Sequence, residues 1–174
     1  GNLFNGSGTA LNGITTLDTQ WEFLDNVFSD GTTKNTTNES DIYLTDSETV
    51  TISVAGTFVP VGGTNWVSTI TNRFSGTAAG VLTYNGENDI EVLISAVATI
   101  EKVGGGADKI CAKLAVDGVV IDKSLSCTEN NNPTSVTCQA LVTLKNDESV
   151  TLYVANEDST ANVIVSEANI IVRQ

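Results

Sequence analysis

The sequence predicts an all-β domain, an antiparallel sandwich of two sheets with jelly-roll topology. Thr, Val, Ile, Ser, Asn and Gly are abundant among the 174 residues, as expected of strands joined by tight turns. Apolar and polar residues alternate in about eight or nine segments, roughly 8 to 14 residues apart. The connections leave no room for crossover helices, so the strands are expected to pair antiparallel in two layers.

Alternation begins at Thr49, and further strands are expected at residues 66–71 and 81–84. The second of these is predicted to close in a hairpin at Asn85-Gly86, a dipeptide that favours tight turns. The first strand is expected to be half-buried. Its apolar face would consist of Val50, Ile52, Val54 and Phe58.

The later part of the chain carries the longest strand, predicted over residues 89–102. Asp117-Gly118 is a strong type I′ turn signal and joins strands at residues 109–116 and 119–125 into a hairpin. Three more strands follow, at residues 136–144, 150–155 and 162–173. An immunoglobulin-like sandwich is the alternative topology, although it usually has fewer and more even strands.

The chain divides into an N-terminal arm or linker at residues 1–41 and a jelly-roll domain at residues 42–174. The arm is rich in Gly, Asn, Thr and Ser and contains one apolar island, residues 21–28. The island could dock on its own domain or anchor a neighbouring subunit, and its periodicity does not decide between them.

Charge and composition exclude several classes of function. A formal charge of -13, from 21 acidic and 8 basic residues, would repel a phosphate backbone, so no nucleic-acid partner is expected. No apolar run approaches a bilayer-spanning length, so membrane insertion is not expected. The chain has no His, which removes the commonest general base and transition-metal ligand. We therefore expect no enzyme activity, no catalytic residues and no cofactor.

The three cysteines allow one internal bond. Cys127 and Cys138 flank an Asn-rich loop in apolar phases, so they could form a disulfide across a hairpin or remain buried thiols. Cys111 falls in the outward phase of its strand. Acidic loops at residues 25–30, 87–89 and 156–158 are oxygen-rich and could hold calcium, but none has the spacing of an EF-hand. No metal site is predicted.

Several late strands carry apolar residues in the phase that should face water. If the strands share a sheet, these residues make a contiguous patch, which usually marks an interface. Alternatively, the assumed register is off by one in some strands, or the arm covers the patch. The residues concerned are Leu93, Val97, Leu141, Tyr153, Val163 and Val165.

Residues 66–174 resemble the C1q/TNF-like jelly-roll heads of phage and virus fibre or spike proteins. A glycine turn leads into a strand at Tyr84, a hairpin closes at Asp117-Gly118, and the acidic turn Asp147-Glu148 opens a V-x-L-x-V strand. The resemblance implies a homotrimer about a threefold axis, formed through one sheet of each protomer, with loops displayed to a receptor or glycan. The late strands have fewer aromatic residues than the better-known C1q members.

The leading hypothesis is therefore a trimeric head of a virion fibre or spike that binds a host-surface glycan or protein. A capsid-decorating or coat jelly roll that docks on other virion proteins is an alternative. A secreted carbohydrate-binding module with Trp21, Trp66 or Tyr84 as a stacking platform is another. The loop residues expected to meet a ligand are Asn65, Trp66, Asn130, Asn131 and Asn132.

Overall fold

The structure is a computed structural model, and it describes residues 26–27, 33–34, 38–104, 106–129 and 132–174. Within these ranges the regular secondary structure is β-strand, apart from one short 3₁₀ turn at Asp122–Ser124. The strands are β1 (Asn26–Val27), β2 (Thr33–Lys34), β3 (Glu39–Leu44), β4 (Glu48–Val50), β5 (Val59–Pro60), β6 (Trp66–Asn72), β7 (Phe74–Gly76), β8 (Leu82–Tyr84), β9 (Ile90–Lys102), β10 (Ile110–Val116), β11 (Val119–Val120), β12 (Ser126–Thr128), β13 (Thr134–Leu144), β14 (Ser149–Asn156) and β15 (Val163–Arg173).

Two antiparallel sheets contain all of these strands except the pair β1 and β2. The six-stranded sheet has the order β13–β9–β15–β3–β6, with β4 added beside β15. The seven-stranded sheet has the order β11–β10–β14–β8–β7, with β12 beside β10 and β5 beside β14. The prediction of an all-β, two-sheet antiparallel sandwich is confirmed.

The core lies between the sheets and is built from the inward residues of the long strands. Alternate residues of β9, from Ile90 to Ile100, are buried. Leu114 and Leu152 of the seven-stranded sheet belong to the same apolar cluster. This is the expected result of period-two side chains on two stacked sheets. The predicted inward face of residues 89–102 is confirmed.

The prediction of one half-buried strand with Val50, Ile52, Val54 and Phe58 on its inward face is wrong. Strand β4 ends at Val50, and the chain turns at Gly56, whose φ is +74°. It then joins the other sheet, because β4 pairs with β15 whereas β5 pairs with β14. Val54 is consequently exposed at this turn and does not lie on the inward face.

Two other turn predictions also differ from the structure. Asn85-Gly86 does not close a hairpin, because β8 lies in the seven-stranded sheet and the next strand, β9, lies in the six-stranded sheet. Residues 119–125 do not form one strand either, since β11 ends at Val120 and the 3₁₀ turn separates it from β12. The Asp117-Gly118 hairpin is confirmed, with positive φ at both residues as a type I′ turn requires.

A bulge in β15 reverses the burial of its two halves. The pairing register with β9 shifts between Val165 and Glu167. Val163 and Val165 are fully buried before the bulge, and Ile170 and Val172 are buried after it. The predicted outward orientation of Val163 and Val165 is therefore wrong, because one extra residue exchanges the two faces of a strand.

The sandwich has two distinguishable ends. The chain enters the six-stranded sheet at Glu39, which pairs with Arg173 of β15. The last residue, Gln174, donates its backbone N–H to the carbonyl of Asn38, so both ends of the described domain meet there. We call the opposite end, where β3 leaves the sheet at Leu44, the distal end.

The first strand of the sandwich begins at Glu39, just before the predicted domain boundary at residue 42. In the predicted arm, β1 and β2 form a separate two-stranded sheet. Apart from these strands and residues 38–41, the arm lies outside the described residues, including most of the apolar island at residues 21–28.

Candidate functional site

Three of the predicted interface residues lie together on the outer face of the six-stranded sheet. Leu93 and Val97 of β9 are 45% and 46% exposed, and Leu141 of β13 is 52% exposed. Leu93 and Leu141 are direct cross-strand partners, and Val97 lies opposite Thr137 of β13. Leu93 and Leu141 are therefore close enough to contact, and the hydrogen-bonded pair Ser95 and Gln139 lies between them and Val97. We call Leu93, Val97 and Leu141 together the apolar patch at the β13 edge of the sheet.

The apolar residues continue across the sheet toward β6. Tyr43 of β3 lies opposite Val67 of β6, which is exposed. Ile171 of β15 lies between Ser95 of β9 and Asp41 of β3, linking the two sides. We name this outer surface the six-stranded face. Its apolar members are Leu93, Val97, Leu141, Ile171, Tyr43 and Val67.

Sequence reasoning missed Tyr43, Val67 and Ile171. A signal for Tyr43 and Ile171 was present, because both alternate with buried residues in β3 and β15. Whether these residues lie on the face depends on the order of the strands in the sheet. Strands β3 and β15 are neighbours there, although about 130 residues of chain separate them.

Charged residues surround the apolar part of the six-stranded face. Arg173 pairs across to Leu93 on one side and to Glu39 on the other. Asp41 accepts a hydrogen bond from the Thr69 hydroxyl at 2.8 Å and one from the backbone N–H of Ile70 at 2.6 Å. The face thus has an apolar body with fixed polar groups, as protein interfaces do.

Tyr153 lies apart from the six-stranded face. It belongs to β14 in the seven-stranded sheet, opposite Lys113 of β10 and Pro60 of β5. The prediction that Tyr153 joins the other interface residues is wrong, because the outward residues of the two sheets face opposite directions. Val163 and Val165 are also outside the face, since the β15 bulge turns them into the core.

The predicted disulfide between Cys127 and Cys138 is also wrong. Cys111 and Cys127 form the bond, because β12 folds back onto β10 and places the two residues directly opposite each other. Cys138 lies in the other sheet, opposite Ala96, and is buried as a free thiol. Desolvation by burial raises the pKa of the Cys138 thiol to about 11, so it stays protonated and unreactive at neutral pH.

Trp66 does not form a ligand platform. Its side chain is 3% exposed, and its indole N–H donates to the carbonyl of Gly62 at 3.0 Å. A Cβ at Gly80 would lie 2.7 Å from the indole ring, so the ring is also enclosed from that side. The expectation that Trp66 meets a ligand is corrected, because a ring inside the core has no face left for a sugar.

Of the other predicted loop residues, Asn65 and Asn132 lie at the distal end. Asn65 precedes Trp66, which pairs with Leu44, and its amide N–H donates to Glu48 Oε1 at 3.1 Å. Asn132 is exposed and lies just before Thr134, which pairs with Ile100. Asn130 and Asn131 lie outside the described residues. The two loops lead into opposite edge strands, β6 and β13, which are four strand spacings or about 19 Å apart.

A polar cluster joins the two sheets at the distal end. Asp108 Oδ1 accepts from Lys102 Nζ at 3.0 Å, and its Oδ2 accepts from the amide N–H of Asn156 at 2.9 Å. The Ser159 hydroxyl also donates to Oδ2. Hydrogen bonds from Ser159 and Asn156, and then from Lys102, lower the pKa of Asp108 from 3.8 to about 2.

The described residues contain no cluster of three or more Asp, Glu, Cys or His side chains placed to hold a metal ion. At the acidic loop of residues 156–158, Asp158 accepts a hydrogen bond from the backbone N–H of Lys109 at 2.7 Å. Within the described part of the chain, no helix has the length and apolarity of a membrane span.

Comparison with known proteins gives a likeness of fold. No protein-family model matches the sequence, and no curated protein matches it. Eiger TNF from S. frugiperda has a TM-score of 0.56 and 8% identity over 80% of this chain and 94% of its own. The globular domain of zebrafish complement 1qA has a TM-score of 0.52 and 12% identity over 79% and 96%.

The PRD1 vertex protein is similar as well, with a TM-score of 0.51 and 8% identity over 80% of this chain and 96% of its own. Identities this low show a shared fold alone. The chain therefore has the jelly-roll fold seen in TNF and C1q heads and in a viral vertex protein.

Proposed function

We propose that this chain is the head of a virion fibre or spike, that it forms a homotrimer through the six-stranded face, and that its distal loops bind a host-surface glycan or protein. The head has no catalytic role in this proposal. The single observation that carries it is the exposed apolar patch of Leu93, Val97 and Leu141 on a sheet of the TNF/C1q-like fold.

Exposure of this patch has an energetic cost. A contiguous apolar surface exposed on a monomer usually marks an interface, and burying its side chains stabilises an assembly by roughly 25 cal/mol per Å². A closed cyclic assembly would bury the six-stranded face of each copy without leaving one copy unpaired. The resemblance to C1q/TNF-like heads supports a proposal of three copies.

The position of Asn38 and Gln174 supports the role of the distal loops. These two ends of the described domain lie together, at the end of the sandwich opposite the distal loops. A stalk attached there would hold the loops around Asn65 and Asn132 at the far end of each protomer, where a host surface is met. The formal charge of -13 favours a neutral or basic partner over an anionic polymer.

Oligomeric state tests the assembly. Light scattering of the full chain at micromolar concentration is expected to give three times the chain mass. Leu141→Glu should dissociate the trimer, because it places a carboxylate inside an apolar contact. Val119→Glu is the matched control, since Val119 is 71% exposed on the hairpin of the other sheet. A monomeric wild type, or equal dissociation by Val119→Glu, would contradict the proposal.

Binding by the distal end needs a separate measurement on the trimer. Adhesion to host cells and binding to a glycan array should fall at least tenfold in Asn132→Arg, which adds a large charged side chain at a distal loop. Asn146→Arg, at the end where the chain enters, should bind as the wild type does. Equal effects of both changes would argue against distal-end recognition.

A further inference from the structure

We propose that Lys102 and Asn156 form an intramolecular amide bond, promoted by Asp108, which covalently joins the two sheets at the distal end. The bond would link Lys102 Nζ to Asn156 Cγ and release ammonia. Such a reaction needs an amine, an activated carboxamide and a group that transfers protons between them. The polar cluster described above contains all three.

Asp108 stands between the two reacting groups. One carboxylate oxygen accepts from Lys102 Nζ at 3.0 Å, and the other accepts from Asn156 Nδ2 at 2.9 Å. The same carboxylate therefore contacts the nitrogen that would attack and the nitrogen that would leave. The carboxylate is ionised at neutral pH, and its two hydrogen bonds place it to take a proton from one nitrogen and return it to the other.

The carboxamide of Asn156 is held as an electrophile would be. Its Oδ1 accepts hydrogen bonds from the backbone N–H groups of Asp158 and Ser159, each at 3.1 Å. Two backbone donors on one carbonyl oxygen stabilise the negative charge that develops there when an amine adds to the carbon. The residue is fully buried, which strengthens these interactions.

Lys102 is also held in place. The side chains of Lys102 and Asp108 are only 12% and 13% exposed, and Lys102 Nζ lies 3.5 Å from the carbonyl of Gly106. A lysine amine becomes a nucleophile more readily when it is partly desolvated. Holding the reacting groups together replaces a bimolecular encounter, and the chain needs to react only once.

The steps balance in atoms and protons. Lys102 Nζ passes one proton to Asp108, and the neutral amine adds to Asn156 Cγ to give a tetrahedral intermediate with its charge on Oδ1. Asp108 transfers its proton to Nδ2, and the C–N bond to Nδ2 breaks. The second proton from Nζ leaves with the ammonia as ammonium, so no oxidant, reductant or other reactant is required.

The link would have a mechanical consequence. Lys102 ends β9 in the six-stranded sheet, and Asn156 ends β14 in the seven-stranded sheet. The described contacts between the sheets are noncovalent, because the disulfide joins β10 and β12 of one sheet. An amide at the distal end would prevent the two sheets from separating there under load.

Intact-mass spectrometry of the denatured, reduced full chain tests the proposal. The wild type should weigh less than its sequence by one ammonia. A tryptic digest should contain the Lys102 and Asn156 peptides joined, with no cleavage after Lys102. Lys102→Arg and Asp108→Ala should have their full sequence masses.

Lys113→Arg is the matched control, because Lys113 pairs with Asp122 at 2.7 Å on the face away from the core. It should keep the mass deficit. A wild type of full mass with no joined peptide would overturn the proposal. A deficit that persists in Lys102→Arg would also overturn it, since the ammonia would then come from another asparagine, such as Asn85 before Gly86. The wild-type digest gives the answer even if a variant fails to fold.

Discussion

Residues that point away from the core are buried on the seven-stranded sheet and exposed on the six-stranded sheet. In β10 and β14, Cys111, Ala115 and Ala155 alternate with core residues, yet each is almost completely buried. In β9 and β13, Leu93 and Leu141 occupy the corresponding positions and are about half exposed.

The chain itself covers the seven-stranded sheet. Strand β5 pairs with β14, and Phe58, just before it, lies 4.5 Å from Lys113 Nζ, measured to the centroid of the ring. The six-stranded face has larger apolar residues and no such cover among the described residues, which is the pattern expected of a surface that another subunit covers.

The largest expected effect on stability comes from substituting Glu on the outer face of each sheet and comparing the two losses. Ala155→Glu should lower the free energy of unfolding by about 4 kcal/mol, because it buries an unpaired charge. Val97→Glu should lower it by less than about 1 kcal/mol, because its side chain is exposed in the protomer. Both are made in the Leu141→Glu background and measured by urea unfolding, so that association does not contribute. Equal losses would remove the distinction between the faces.

The disulfide between Cys111 and Cys127 is expected to make the next largest contribution to the stability of the seven-stranded sheet. It closes a loop with a sequence separation of 16 residues. Replacing Cys111 and Cys127 together by Ser should therefore lower the free energy of unfolding by about 3 kcal/mol, since the unfolded chain regains freedom. Urea unfolding with and without a reductant is the measurement. The reductant should destabilise the wild type and leave the double variant unchanged; destabilisation of both would point to another cause.

Phe58 tests the covering segment directly. Phe58→Ala should lower the free energy of unfolding by about 1 to 2 kcal/mol, because it removes apolar cover and the cation–π contact with Lys113. Phe58→Leu keeps apolar cover and should lose less. Thermal and urea unfolding of both variants give the comparison. If neither variant is destabilised, the segment does not contribute to the stability of the seven-stranded sheet.

The smallest effect concerns the distal cluster and appears only in acid. The pKa of Asp108 lies below its ordinary value, so its ionised form stabilises the fold above about pH 4. This contribution is lost as the pH falls through about 2. Ser159→Ala removes the leading cause of the shift and should make the free energy of unfolding less dependent on pH between 4 and 2. An unchanged pH profile would contradict the assignment to Ser159.

Much of the fold followed from local patterns. The long alternation of residues 89–102 predicted a half-buried strand, and β9 has that burial pattern. Asp117-Gly118 predicted a tight turn because few residues adopt positive φ twice in succession, and both do so here. Tertiary contacts preserved these two local signals, whereas they overrode the turn signal at Asn85-Gly86 and the alternation at residues 49–58.

Other predictions failed where the outcome depended on distant parts of the chain. Val163 and Val165 were expected to point outward, but the bulge after Val165 places them in the core. Cys127 bonds to Cys111 and not to Cys138, because β12 pairs with β10. The alternation of apolar and polar residues does not predict which strands pair. Trp66 was expected in a ligand-binding loop after Gly62-Gly63, but its side chain packs against Gly80 in the core.

By itself, the sequence determined the class of the fold, the strands with sustained alternation, the acidic character and the outward positions of Leu93, Val97 and Leu141. Only the tertiary structure decided that these residues share one face, that Tyr153 lies on the other, and that Lys102, Asp108 and Asn156 meet. The physical reason is that side-chain periodicity is a property of neighbouring residues, whereas sheet order, bulges and loop contacts join residues far apart in the chain.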